Sequence, residues 1–144
     1  VMGSNDLIKD FRAEPMPGRE NLAACYTLTI AAARANDILV FDGVYNDIAN
    51  AEGFVAEARQ ARAFGFDGKT LIHPSQVEPC NAIFAPAAAA VAQAKDGIAA
   101  FADPANAGKG VLKVNGRMTE LLHLAQAKRM VAVAEAIAER EKTQ

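Results

Sequence analysis

Short apolar runs alternate along the chain with stretches that carry a helical repeat of apolar positions. Residues 38–41 form a β-branched, wholly apolar run of the kind that makes a buried parallel strand, and Asp42-Gly43 ends it. Residues 69–72 form the next strand, stopped by His73-Pro74. Val1-Met2 reads as the end of an earlier strand leading into a turn at Gly3-Ser4-Asn5-Asp6. Between these runs, the spacing predicts a helix over 19–36 with Leu22, Tyr26, Ile30 and Ala33 on one face. A second helix, over 51–64, buries Phe54, Ala58 and Ala61, with Asn50 as its N-cap and Gly65 as its stop. A third follows Pro86, which suits a first helical turn, and ends before Pro104. Gly108 and Gly110 mark an exposed crossing, residues 111–114 a short strand, and Asn115-Gly116 a hairpin turn. Residues 120–141 form a long amphipathic helix with Leu121, Leu124, Val131 and Ala134 among its apolar positions.

Strand–helix alternation implies right-handed βαβ units and a parallel sheet. Three strands neither close a barrel nor hide both sheet edges. A (β/α)8 barrel takes about 250 residues, and this chain has 144. The α/β pattern therefore fits the last three strands, 6 to 8, of a (β/α)8 TIM barrel over residues 1–102, with a carboxy-terminal helical lid extension over 103–144. A flavodoxin-like open sheet is the alternative architecture. Val1-Met2-Gly3-Ser4 is neither a usual initiator nor a signal peptide, and it reads as a strand already in progress within a longer parent.

Composition narrows the function classes. A hydrophobic fraction of 51 % with 22 % charged residues is that of a protein with a core. The net charge of −2 gives no global field to attract nucleic acid or an anionic membrane. Cys25 and Cys80 lack CxxC spacing, which argues against a disulfide scaffold or zinc ribbon and for buried thiols in a reducing cytoplasm. The Ala-rich stretch 82–102 is interrupted by Pro86, Lys95 and Asp96 and is too polar to span a bilayer. There is no dinucleotide fingerprint, phosphate loop or nucleophile elbow.

Functional groups of a parallel barrel sit where strands end. Gly3-Ser4-Asn5-Asp6-Leu7 places a carboxylate there, suited to a hard cation that takes one or two carboxylates; equally, Asn5 or Asp6 caps the next turn. Asp42-Gly43-Val44-Tyr45-Asn46-Asp47 offers two acids on one loop, and Asp-Gly is also ordinary turn chemistry. His73, in Leu71-Ile72-His73-Pro74-Ser75-Gln76, is either a base or ligand-positioning donor or a satisfied structural residue. Glu120, in Asn115-Gly116-Arg117-Met118-Thr119-Glu120, is either functional or a favourable charge opening the last helix.

Taken in order, these segments together with Gly65-Phe66-Asp67-Gly68-Lys69 resemble the citrate lyase beta-subunit-like group, which includes malyl-CoA and citramalyl-CoA lyases within the HpcH/HpaI aldolase superfamily. The resemblance covers nearly the whole chain. It implies a Mg2+-dependent carbon–carbon lyase that splits a 3-hydroxyacyl thioester of the citryl-, malyl- or citramalyl-CoA type into an acyl thioester and a 2-oxo acid. It implies that Asp6 is a metal ligand, and that a Glu ligand and a substrate-binding Arg belong to earlier strands outside this chain. Asn5, Asp6, Asp42, Ile72 and His73 fall on the substrate and CoA side, with Ile72 and His73 where family members contact the acyl-CoA. Glu120 falls where a lid carboxylate, often Asp in the lyases, acts as acid or base in a neighbouring subunit's site; Glu keeps the charge and adds one methylene. The further expectations are a cytoplasmic homo-oligomer such as a trimer, an inactive chain when isolated, and no nucleic-acid or membrane partner. A different class of reading is a non-catalytic half-barrel that assembles through the apolar stripe of residues 121–134.

Overall fold

Asn50 begins the clearest helix: its side chain accepts from Gly53 N at 2.8 Å, closing the first turn of α3 (Ala51–Phe64). Gly65, at φ +106°, ends that helix by donating to the Ala61 and Arg62 carbonyls, a left-handed stop that glycine adopts without strain. Phe54, Ala58 and Ala61 are buried, as the spacing predicts. In the computed structural model, which describes residues 1–143, the chain divides into two compact units, one spanning Val1–Phe84 and the other beginning at Ala85. It is a mixed α/β protein in which helix predominates.

The first unit comprises α1 (Ser4–Asp10), α2 (Ala23–Ala35), β1 (Phe41–Asp42), α3, β2 (Gly68–Lys69) and α4 (Val77–Phe84). The predicted turn at Gly3–Asp6 is instead the start of α1, which forms because Leu7 and Ile8 pack on the core. The predicted helix over 19–36 begins with a 3-10 turn, Glu20–Leu22, before α2. Its predicted face is the core: Leu22, Tyr26, Ile30 and Ala33 pack with Met2, Val40, Ala61 and Phe66. Tyr26 meets Phe64 and Phe66 edge-on, each with ring centroids 5.5 Å apart. Helix α4 was not anticipated; Pro79 sits within its first turn, where a missing N–H costs nothing.

Strands β1 and β2 pair in parallel, with Phe41 opposite Gly68 and Asp42 opposite Lys69. Both are shorter than the apolar runs suggest. Only Val40 of the preceding three residues is buried, at 4 %, whereas Ile38 and Leu39 are 58 % and 56 % exposed. The pleat explains the contrast for the last four positions. Val40 and Asp42 face the packed side, and Leu39 and Phe41 point to a face that the first unit leaves open. Val1-Met2 forms no strand, but Met2 N donates to Phe41 O at 2.8 Å.

The second unit holds α5 (Ala88–Ala102), the antiparallel hairpin β3 (Val111–Val114) and β4 (Arg117–Glu120), and α6 (Leu124–Glu141). Asn115 and Gly116, at φ +49° and +80°, make the turn that Asn-Gly predicts. Gly97 lets the hairpin approach α5, since a Cβ there would lie 3.3 Å from Thr119 Cγ2. Glu120 does not open the last helix: it ends β4 in extended conformation, and a 3-10 turn, Leu121–His123, separates it from α6. No helix among the described residues is long and apolar enough to cross a membrane.

Candidate functional site

The parallel register sets Lys69 directly opposite Asp42 on the packed face of the sheet. The Lys69 ammonium, wholly buried, donates to Asp42 Oδ2 at 2.8 Å, Gly43 O at 2.8 Å and Glu57 Oε1 at 2.6 Å. Arg19 donates from one terminal nitrogen to both Asp42 oxygens at 2.9 Å, and from Nε to Gln60 Oε1 at 2.9 Å. Arg19 holds a left-handed backbone, φ +53°, and its guanidinium lies 5.0 Å from the Tyr26 ring centre. Two buried cations thus face one fully buried carboxylate, Asp42, and one largely buried one, Glu57. Such a set is tolerable because no buried side-chain nitrogen or oxygen among the described residues lacks a partner. Burial pushes the Tyr26 phenol up to about 12, against the lowering pull of Arg19, and it likewise raises the Cys80 thiol against Lys69. Both cysteines are free thiols; Cys80 is buried and Cys25 half-buried.

This network anchors the carboxyl end of β1. Lys69 holds the Gly43 carbonyl, and Thr70 N donates to Asp42 O at 3.0 Å. Gly43 is needed where it stands, because a Cβ would collide with Ser4 Oγ and come within 2.7 Å of Met2 O. From that anchor the loop 44–50 runs outward and is tied on two sides. Asn46 and Asn5 exchange amide hydrogen bonds at 3.0 and 3.3 Å. Gln76, buried in the 3-10 turn Pro74–Gln76, donates to Tyr45 O at 3.1 Å and accepts from Ile72 N at 3.1 Å. Three segments are therefore joined on one edge of the first unit: Asn5-Asp6, Tyr45-Asn46 and Ile72-His73.

Asp6 lies in the first turn of α1, exposed, and neither it nor Asn5 makes a capping bond at that helix start. Ile72 and His73 are exposed. His73 Nδ1 accepts from Ser75 N at 3.2 Å. A backbone N–H can only donate, so Nδ1 is the acceptor and Nε2 carries the ring proton. Asp42 differs: it is fully buried with both oxygens on cations, while Asp47 is exposed, so the two acids of that loop do not converge. A cleft of about 710 Å3 takes in Asn5, Asn46 and Glu57, but not Asp6, Ile72 or His73. In the second unit, Glu120 and His123 line a pocket of about 300 Å3 with Gly97, Phe101 and Met130.

Among the described residues no three of His, Cys, Asp and Glu come together to hold a metal ion. Asp6 offers one exposed carboxylate. Mg2+ takes one or two carboxylates and fills its remaining positions with water and substrate oxygens, so this donor is a partial fit. Sequence reading singled out Asp6, His73 and Glu120 but missed Arg19, Glu57, Lys69 and Gln76 as a framework. One signal was available: Glu57 falls on the apolar stripe Phe54, Ala58, Ala61, where a carboxylate needs a buried partner.

Comparison with known proteins adds the family. The family model for HpcH/HpaI aldolase/citrate lyase matches residues 1–74. The chain is 46 % identical over 138 residues to a (3S)-malyl-CoA thioesterase of Cereibacter sphaeroides, covering 96 % of this chain and 48 % of that protein. It is 38 % identical over 120 residues to the citrate lyase subunit beta of Haemophilus influenzae, covering 83 % of this chain and 41 % of the other. The crystal structure of CitE from Mycobacterium tuberculosis in complex with magnesium, acetoacetate and coenzyme A matches with a TM-score of 0.69 and 29 % identity, over 92 % of this chain and 50 % of CitE. The chain thus spans about half the length of the curated relatives it matches. With matches of this extent in both sequence and fold, the chain belongs to the HpcH/HpaI aldolase/citrate lyase family.

Proposed function

We propose that this chain supplies the carboxy-terminal half of a (β/α)8 barrel enzyme that cleaves the carbon–carbon bond of a 3-hydroxyacyl-CoA thioester with Mg2+. In this reading residues 1–102 are barrel and 103–144 a lid extension. The observation that carries it is the joining of Asn5-Asp6, Tyr45-Asn46 and Ile72-His73 along one edge by Asn46 and Gln76. The open face bearing Leu39 and Phe41 supports the half-barrel, because inward residues of a barrel strand need strands opposite them. The coenzyme A and magnesium in the CitE structure support the ligand class.

Bound at Asp6, Mg2+ would polarise the oxygens of the 2-oxo acid half. The chain's own groups do the rest. Asn5 and Asn46 hold the Asp6 segment beside the β1 loop, and Asp42, clamped by Arg19 and Lys69, fixes where that loop begins. The His73 Nε2–H and the exposed Ile72 side chain meet the thioester side. When the bond between the hydroxyl-bearing carbon and the thioester α-carbon breaks, its electron pair passes to the thioester enolate. Glu120, in a neighbouring subunit of a homo-oligomer, delivers the proton that the enolate carbon takes up. The hydroxyl proton leaves to solvent water, and Glu120 regains from solvent the proton it gave, so one proton is released and one taken up and the step balances. Cleavage of malyl-CoA by the intact protein is expected to yield acetyl-CoA and glyoxylate, and Glu120→Gln is expected to lower kcat about 100-fold with KM little changed. Unchanged kcat in that variant would remove Glu120 from the chemistry.

The identity to a thioesterase favours a second reading, in which water cleaves the thioester and releases free CoA and a hydroxy acid. Product analysis separates the two: glyoxylate marks the lyase, and a free thiol with malate marks the hydrolase. Neither product, from a protein that still assembles, would favour an interaction module.

A further inference from the structure

We propose that Gln76 is a positioning residue that sets how the acyl-CoA is held, by locking the Ile72-His73 strand end to the loop of Tyr45 and Asn46. This rests on the functional reading above, in which Ile72 and His73 contact the thioester. Gln76 is only 3 % exposed, and both ends of its amide are committed: Nε2 donates to Tyr45 O and Oε1 accepts from Ile72 N, each at 3.1 Å. The strand pairing of β2 ends at Lys69, so the Ile72 N–H has no sheet partner and depends on this side chain. The same short turn aims the imidazole, since His73 Nδ1 accepts from Ser75 N and Gln76 N donates to His73 O at 3.1 Å. On its far side, the loop that Gln76 grips continues into Asn46, which bonds Asn5 beside Asp6. The side chain therefore links the thioester end of the site to its metal end through hydrogen bonds.

The chemistry required is narrow, because one side chain must donate at one end and accept at the other. Glu matches Gln in size and still accepts from Ile72 N; at alkaline pH, where even a buried carboxyl is ionised, it faces the Tyr45 carbonyl with no proton to give, so this variant is assayed there. Met matches the length and does neither. In the intact protein, Gln76→Glu and Gln76→Met are expected to weaken CoA binding measured by calorimetry about tenfold. KM for malyl-CoA should rise by the same factor, with kcat within twofold. Amide exchange at Ile72 is expected to be slow in the parent protein and fast in both variants. If the Met variant does not fold, the Glu variant carries the test. Unchanged CoA affinity and KM in a folded variant, whatever its melting temperature, overturn the proposal, as does a fall in kcat at constant KM. A parent protein that does not bind CoA overturns the functional reading and this proposal with it. A parent that binds CoA while the variants bind equally well overturns the proposal alone.

Discussion

The two compact units bury their residues very differently. In the first, Leu22, Tyr26, Asp42, Ala58 and Ala61 are fully buried, and ionic partners are sealed in with the apolar ones. In the second, α6 buries no residue and α5 buries only Gly97, so their apolar stripes are half covered. Charges follow the same division. Lys69 and Asp42 are wholly buried, whereas the Lys95–Glu135 pair of the second unit, at 3.0 Å, is 53 % and 63 % exposed. At the Asp42–Lys69 pair, removing one charge strands the other in a low dielectric. In the second unit, water replaces whatever is removed. The groups proposed to hold ligand thus sit beside a buried ion network, and the proposed acid Glu120 sits in a unit whose helices are half covered.

Substitutions in each unit test that contrast. Lys69→Met leaves Asp42 and Glu57 without their shared ammonium, and urea unfolding is expected to show a loss of about 3–5 kcal/mol. A loss below about 1 kcal/mol would mean that the first unit is not held by its buried ions. Alkaline titration comes next. Below pH 10 both the folded and the unfolded chain keep the Tyr26 proton; above it the unfolded chain ionises, while the fold holds the phenol neutral until about 12. Stability therefore falls between those two values, by roughly 3 kcal/mol in all. Tyr26→Phe should flatten that fall. Asn50→Ala removes the cap of α3 and is expected to cost about 1 kcal/mol. Lys95→Ala, in the second unit, is expected to change stability by less than about 0.5 kcal/mol. An effect as large as that of Lys69→Met would erase the distinction.

How much was legible in the sequence follows the same line. Local rules located α3 to the residue, because Asn50 and Gly65 act within one turn of its ends. The Asn115-Gly116 turn and the buried face of α2 were equally plain. Strand lengths were not, since an apolar run such as 38–41 becomes ladder only where a neighbouring strand lies beside it. Ser4, Asn5 and Asp6 favour a turn locally, and the packing of Leu7 and Ile8 makes the segment helix α1 instead. Local pattern makes Glu120 a helix opener, because Arg117–Glu120 carries no strand pattern until β3 pairs with it. The Arg19–Asp42–Lys69–Glu57 network depends on the register of two strands and on a helix between them, and local spacing flags only Glu57, on the apolar stripe of α3.

The most direct measurement is turnover of malyl-CoA by the intact protein with Mg2+, compared between the parent and Asp6→Ala. Glyoxylate and acetyl-CoA are expected from the parent, with a fall of at least about 100-fold when the Asp6 carboxylate is removed from a protein that still folds. Glyoxylate formation that is undiminished in Asp6→Ala, or absent from a folded, Mg2+-supplied parent, would contradict that expectation.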